Sequence, residues 1–395
     1  MLATSIPAMD DDELGAWLRL QLSPGIGSAH GWRLLKAFGP PTEVFRQSLH
    51  SLRALVPERQ AQAILKEPPD FAASLHTLRQ WLERGAGLHR LVPLGDPDYP
   101  ASLLAIDDPP LLLYGQGSGA AWRALGTASC IAVVGSRNPS PQGAANAHAF
   151  AHSLAQAGLS IVSGLALGVD AAAHRGALEI RDSSLPTIAV VGTGLNRVYP
   201  AQHARLATEI AARGLVISEY PLGTAPLPAH FPRRNRVIAG LSRATLVVEA
   251  ALQSGSLITA QQALDQGKDV FAIPGSIHST QARGCNALIK QGAQLVDGVQ
   301  DILGMPDWGT IPLQESVRPS EQGATWAETA QACEDDDALV QALGFDPSSL
   351  EVLQTRTGWD TARLQAHLMK LELAGQVGRL PGNLFQRLRT PPVAL

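Results

Sequence analysis

The sequence predicts an α/β protein: a doubly wound parallel (Rossmann-like) sheet, preceded by a helical N-terminal domain and followed by a C-terminal winged-helix-like domain. Three observations predict it. Short β-branched apolar runs recur from Ile131 to about Leu303, each followed by a loop rich in Gly, Ser and Pro and then a helix-length stretch. Before them lies a helical region, and after them a capped helix with a hairpin.

The chain has 395 residues, a length that calls for two or three domains. Its 45% hydrophobic and 17% charged composition is that of a globular protein, and neither a membrane-length apolar run nor a basic signal peptide is present. The acidic start, MLATSIPAMDDDEL, leads us to expect a cytoplasmic protein. Cys130, Cys285 and Cys333 stand far apart with no CxxC pair, as small buried side chains would rather than a disulfide framework or a zinc knuckle. A formal charge of −4 gives no global attraction to a polyanion, so any such site must be a local patch.

Residues 1–85 form the expected helical domain, where LSPGIGSAHGWRLLKAFG sets a Pro-Gly-Ile-Gly hairpin between two amphipathic helices in a helix-hairpin-helix-like pattern. Residues 86–304 hold the sheet. Its strands are IAVVG, LSIVSG, TIAVVG, LVISEY, ATLVVEA, DVFAIPG and AQLV. None of these runs alternates, so both faces of the sheet are covered, and the helix-length segments between them are crossovers. Residues 305–334 lose periodicity and read as a linker. In residues 335–395, SSLE (Ser348 to Glu351) is a capping-box signature. Asp360 caps a helix carrying Leu364, Leu368 and Leu371, Gly375 ends it, and QVGRLPGNLFQRL forms a hairpin.

In such a sheet the loops leaving the carboxyl ends of the strands share one rim, where ligands bind. The VVGSRNPSPQG corner offers backbone N–H groups, a helix N-terminus and Arg137, all suited to phosphate. Read alone, the loop fits a plain turn at Gly135 with a solvated Arg137 equally well. GSRNPS lacks the second and third glycines of a dinucleotide fingerprint, GTGLNR lacks the closing one, and no GxxxxGK[ST] occurs. His148 and His152 have HxxxH spacing without a third ligand, which suits a surface or packed pair better than zinc. Asp170 and His174, four residues apart, suit organisation of their corner better than acid–base chemistry, because no nucleophile accompanies them.

The stretch HFPRRNRVIAGLS gathers Arg233, Arg234 and Arg236 at the start of an apolar helix, with Arg243 just beyond. A solvated helix face is the plain explanation. Against it, cations at a helix N-terminus oppose the macrodipole, an arrangement that makes sense if an anion binds there. Phe231 beside them offers a stacking surface for a base.

VVGSRNPS, IVSGLALGVDAAAHRGAL, GTGLNRVYP, ISEYPLG, HFPRRNRVIAGLSRATLVVEA, SGSLITAQQALDQGKDVFAIPG and GCNALIKQGA, in this order, resemble the DNA-processing protein A (DprA/Smf) family of natural transformation. The resemblance covers the whole central domain. It implies a non-enzymatic protein without a cofactor that binds single-stranded DNA, protects it from nucleases and loads RecA. Carried over, Gly135, Ser136 and Arg137 would meet the DNA backbone and Phe231 a base. Ser163, Gly164, Gly168 and Asp170 would shape the floor, and His230, Arg233, Arg234, Asn235 and Arg236 would line the site. Some relatives carry lysines where this chain has Pro228 and Ala201. The resemblance also implies a homodimer through GCNALIKQGAQLV, with Asn286, where relatives often have His, together with Ile289 and Leu295. The C-terminal domain mixes Arg363, His367, Lys370 and Arg379 with acidic residues, which suits a further protein partner at least as well as DNA. The competing readings are a Rossmann-like enzyme that cleaves nucleoside monophosphates, whose PGGxGTxxE pattern is missing, and a scaffold whose sheet is inert.

Overall fold

The structure is a computed structural model that describes residues 10–305, 333–343, 347–380 and 382–388. Nearly all of the expected linker lies outside the described residues. Among the described residues nine strands precede the C-terminal domain: β1 (His89–Pro93), β2 (Leu112–Gly117), β3 (Cys130–Val134), β4 (Ser160–Ser163), β5 (Thr187–Val191), β6 (Leu215–Ser218), β7 (Ala244–Val247), β8 (Asp269–Ala272) and β9 (Gln294–Leu295). The seven apolar runs named above are β3 to β9. The described residues fall into two compact units, one within 1–128 and 188–242 and the other within 129–187 and 243–395.

In the first unit, Asp10 caps the helix Asp11–Leu22 by accepting from Glu13 N at 2.7 Å, and three acidic residues fill the first turn. The expected hairpin follows. Gly25 takes φ 78°, a left-handed conformation that glycine adopts without cost, and the helix Ser28–Phe38 leaves the turn. Leu18, Leu20, Leu34, Leu52, Ile64 and Leu78 are buried to 2% exposure or less and form the helical core. The strands of this unit run in the order β1-β2-β6-β5. β1 pairs antiparallel with β2 and β2 antiparallel with β6, whereas β5 and β6 are parallel. The sheet is therefore mixed, and β1 and β2 are additions to the parallel pattern that the apolar runs announce.

The second unit holds the order β4-β3-β7-β8-β9, with every neighbouring pair parallel. The chain leaves β3 for β4 on one side and returns much later as β7 on the other, with Val134 opposite Val247. That reversal is a topological switch point, where loops diverge and leave a crevice. Ile131, Val133, Phe150, Leu154, Ile161 and Phe271 anchor the core. The helices Pro141–Gln156 and Val169–Leu178 pack through small residues, and a Cβ on Gly176 would stand 2.1 Å from the His148 carbonyl oxygen. Only glycine permits that approach.

The C-terminal domain forms a three-stranded sheet in the order β10-β12-β11, from β10 (Ser348–Ser349), β11 (Val377–Leu380) and β12 (Leu384–Arg387). Leu353, Leu364, Leu368, Leu371 and Phe385 bury its core. Asp360 caps the helix Thr361–Leu373 by accepting from Arg363 N at 2.8 Å, and Gly375 takes φ 68°, as expected. The capping box is displaced by one residue. Ser349, not Ser348, caps the helix Leu350–Thr357 by accepting from Val352 N, and Ser348 is buried opposite Phe385.

Candidate nucleic-acid interface

At the carboxyl end of β3, within the second unit, Gly135, Ser136 and Arg137 make a tight turn. Ser136 N donates to the Glu249 carbonyl at 2.6 Å, and the Ser136 hydroxyl accepts from Asn138 N at 3.1 Å. A Cβ on Gly135 would stand 2.9 Å from the same Glu249 carbonyl oxygen, so the turn is closed against β7. The loop after β4 seals the other side. Val169 N donates to the Ser136 carbonyl at 3.1 Å, and Gly168, at φ 77°, runs so close that a Cβ would fall 2.4 Å from that oxygen. Arg137 is exposed at the tip of this assembly.

The carboxylates beneath the turn use up backbone donors. Asp170 is 7% exposed, and its Oδ2 accepts from Gly164 N at 3.0 Å and Ala166 N at 3.2 Å. Glu249 accepts from Ser140 N at 3.1 Å and from the Ser140 hydroxyl at 3.0 Å, at the mouth of the helix Pro141–Gln156. Burial pushes the Glu249 carboxyl above its usual range, and the Ser140 bonds oppose the shift. The N–H groups expected to greet a phosphate at these corners are thus largely bound to the protein's own oxygens, and Arg137 is the exposed cationic side chain of the turn. Ser163 is fully buried and donates to the Val133 carbonyl at 2.7 Å, so it braces β3 from below. His174 is also fully buried and bonds Thr187 at 2.7 Å. His148 and His152 both face Glu179, at 3.1 and 3.9 Å.

In the first unit, the arginine-rich stretch forms the first turns of the helix His230–Leu241. Its cations divide by position around the helix. Arg234 is 4% exposed and donates to the Val190 carbonyl at the end of β5 and to the Asn235 side chain at 3.2 Å. Arg236 is 9% exposed and pairs with Glu219, while Asp108 lies 3.4 Å from its Nε. Burial raises the Glu219 carboxyl, and Arg236 is the main influence opposing the rise. Arg233 is exposed. Arg243 belongs to the opposite edge of the second unit, since it precedes β7 and its N–H bonds the Cys130 carbonyl at the start of β3.

The aromatic residues of the first unit group beside this helix. The Phe231 ring lies 5.6 Å from the ring of Tyr199, which is 47% exposed, and it rests against Gly192. The His230 ring stacks on Tyr220 at 4.2 Å, and Tyr220 Oη donates to the His230 carbonyl at 3.2 Å. Tyr199, Glu219 and Glu249 were not singled out from sequence. A signal existed for the two glutamates: each is an isolated acid directly after an apolar strand.

Asn286 grips the loop after β8 by donating to the Gly275 carbonyl at 2.9 Å and accepting from Gly275 N at 3.3 Å. Ile289 is half-buried and Leu295, 46% exposed, sits on β9 at the sheet edge. Among the described residues no group of three metal-ligating side chains converges, and no helix is long and apolar enough to cross a membrane.

Residues 90–306 match the family described as DNA recombination-mediator protein A, and residues 324–383 match the DprA winged helix domain. The chain is 40% identical to protein Smf of Escherichia coli over 332 residues, 84% of each chain. It is 48% identical to DNA processing protein DprA of Streptococcus pneumoniae over 208 residues, which are 53% of this chain and 71% of that one. The X-ray structure of DprA from Streptococcus pneumoniae superposes with a TM-score of 0.59 at 36% identity, covering 73% of this chain and 97% of that chain.

Proposed function

This chain belongs to the DNA recombination-mediator protein A family, the DprA and Smf proteins, and on that premise we propose that it binds single-stranded DNA and acts by binding rather than by catalysis. The observation that carries the reading is the turn after β3. Arg137 is held out from a switch point by a glycine-tight, internally bonded frame, an arrangement suited to a bidentate grip on a phosphodiester. The frame residues Gly135, Ser136, Ser163, Gly164, Gly168 and Asp170 position that side chain.

Phe231 with Tyr199 supplies a two-ring platform for a base, and Arg233 adds charge beside it. Arg234, Asn235, Arg236 and His230 hold the helix that presents them. Ring stacking needs bases that a duplex keeps stacked on one another, so the platform favours a single strand, and the cations add affinity for phosphates whatever the base. We further propose that the bound strand is shielded from nucleases and handed to RecA, that two copies associate along the Asn286, Ile289 and Leu295 edge, and that the C-terminal domain takes a protein partner. Met369 and Leu373 support the last point: they are 64% and 82% exposed at i, i+4 on one helix.

The test is to challenge a labelled single strand with a nuclease and, separately, with RecA in the presence of a single-strand coating protein. Protection of the strand and faster RecA filament assembly are expected. Digestion and assembly rates unaffected by the protein would overturn the proposal.

A further inference from the structure

The hairpin of the first unit borders a cavity of about 180 Å³ lined by Gln21, Gly27, Ser28, Leu111, Glu219 and Arg233. Its chemistry has two sides. On one, the helix Ser28–Phe38 begins with Gly27 at its N-cap and no side chain caps it, so its opening N–H groups are not claimed by a capping side chain. Eleven residues of aligned peptide dipoles add partial positive charge there. The Arg233 guanidinium stands over this end: a Cβ on Gly27 would lie 3.7 Å from its Nη2. Arg233 is exposed, and its charge also favours the ionised form of the Glu219 carboxyl across the cavity.

On the other side is a buried acceptor. The Glu219 side chain is 6% exposed; one carboxylate oxygen pairs with Arg236, and Oε1 is buried without a hydrogen-bond partner. A bare anion would satisfy the helix end and Arg233 but not Oε1. A ligand that fits both carries an anionic oxygen and, close to it, an N–H donor. A nucleotide whose base has an exocyclic amine, cytosine, adenine or guanine, has both, whereas thymine offers only its ring N3–H.

We propose that this cavity is a nucleotide subsite that extends the Phe231 and Arg233 platform of the first unit onto its N-terminal hairpin. The first turn of the helix Ser28–Phe38 and Arg233 hold a phosphate, and the base amine donates to Glu219 Oε1. The proposal rests on the single-stranded DNA reading given above. Burial has raised the Glu219 carboxyl, and a donor at Oε1 would favour its ionised form.

The experiment is fluorescence anisotropy with labelled oligo-dC and oligo-dT of equal length, comparing the unaltered protein with Gly27→Asp, Arg233→Gln and Arg137→Ala. Gly27 has φ −87°, which aspartate adopts freely, and aspartate is a preferred N-cap. Gly27→Asp should therefore keep the parent Tm or exceed it while it occupies the opening N–H groups and repels phosphate. The expected result is that Gly27→Asp and Arg233→Gln each bind oligo-dC about 3- to 10-fold more weakly, with a log–log salt slope shallower by about 0.7. The unaltered protein should prefer dC to dT, and the preference should shrink in both variants. Unchanged affinity in both, with binding lost in Arg137→Ala, would overturn this subsite and leave the broader reading standing. Equal binding of dC and dT by the unaltered protein would overturn the role given to Glu219. Failure of the unaltered protein to bind either strand would overturn both proposals.

Discussion

Arg236 donates to the buried carboxylate of Glu219, and Asp108 approaches the same guanidinium at 3.4 Å. The pair is formed inside the first unit, where removal of one partner strands the other in a poor solvent for charge. Arg236→Ala should lower the unfolding free energy by roughly 3–5 kcal/mol. Arg233→Ala, at an exposed position, should change it by less than about 0.5 kcal/mol. Urea denaturation of both variants checks this, and coincident transitions would show that Arg236 is not a structural ion.

Phe231 is expected to act through its ring. With Tyr199 at 5.6 Å it forms a stacking surface, and such stacking contributes about 1–3 kcal/mol per base. Phe231→Leu should weaken single-strand binding roughly 5- to 150-fold while leaving the salt slope unchanged, because no charge is lost. A variant with parent affinity would remove Phe231 from the interface.

Gly168 sets the height of the Arg137 turn. At φ 77°, with a Cβ position 2.4 Å from the Ser136 carbonyl oxygen, alanine is both strained and obstructed. Gly168→Ala should cost about 1–3 kcal/mol of stability and reduce strand affinity as well, since the turn must shift. Calorimetry and anisotropy on the same preparation test the coupling, and a stable variant with weakened binding, or the reverse, would separate the two effects.

Glu249 gives the protein a pH signature. Burial raises its folded-state pKa above the unfolded value, so the folded chain retains a proton that the unfolded chain releases. Its contribution is fully present below the ordinary glutamate range and is lost as pH rises through the folded pKa. Glu249→Gln removes this linkage. The stability of the unaltered protein minus that of the variant should therefore fall as pH rises from about 4 towards neutrality, followed by denaturant titrations at several pH values. A constant difference would place the carboxyl in an ordinary environment.

Much of the fold is legible because its strands are continuous apolar runs: β3 to β9 each announce themselves, and so do the hairpin at Gly25 and the cap at Asp360. β1 and β2 are not legible in the sequence, because HRLVP is half polar and carries proline, and LLYGQG is interrupted by glycines. Of the candidate site, the turn at Gly135 to Arg137 follows from local chemistry. The division among the arginines does not. Arg233, Arg234 and Arg236 sit within one helical turn, and only the tertiary neighbours Val190, Glu219 and Asp108 decide which of them turn inward. The backbone donors likewise look available in sequence, yet Glu249 and Asp170 claim them through contacts made far along the chain or across a corner.

The most direct measurement is the affinity of Arg137→Ala for a labelled oligo-dT and a matched duplex at two salt concentrations, beside the unaltered protein. The account predicts tight, salt-sensitive preference for the single strand in the parent. The variant should lose about tenfold or more in affinity and about 0.7 in salt slope at unchanged Tm. Single-strand affinity and slope equal to the parent's would contradict the central claim and move the DNA site away from the turn after β3.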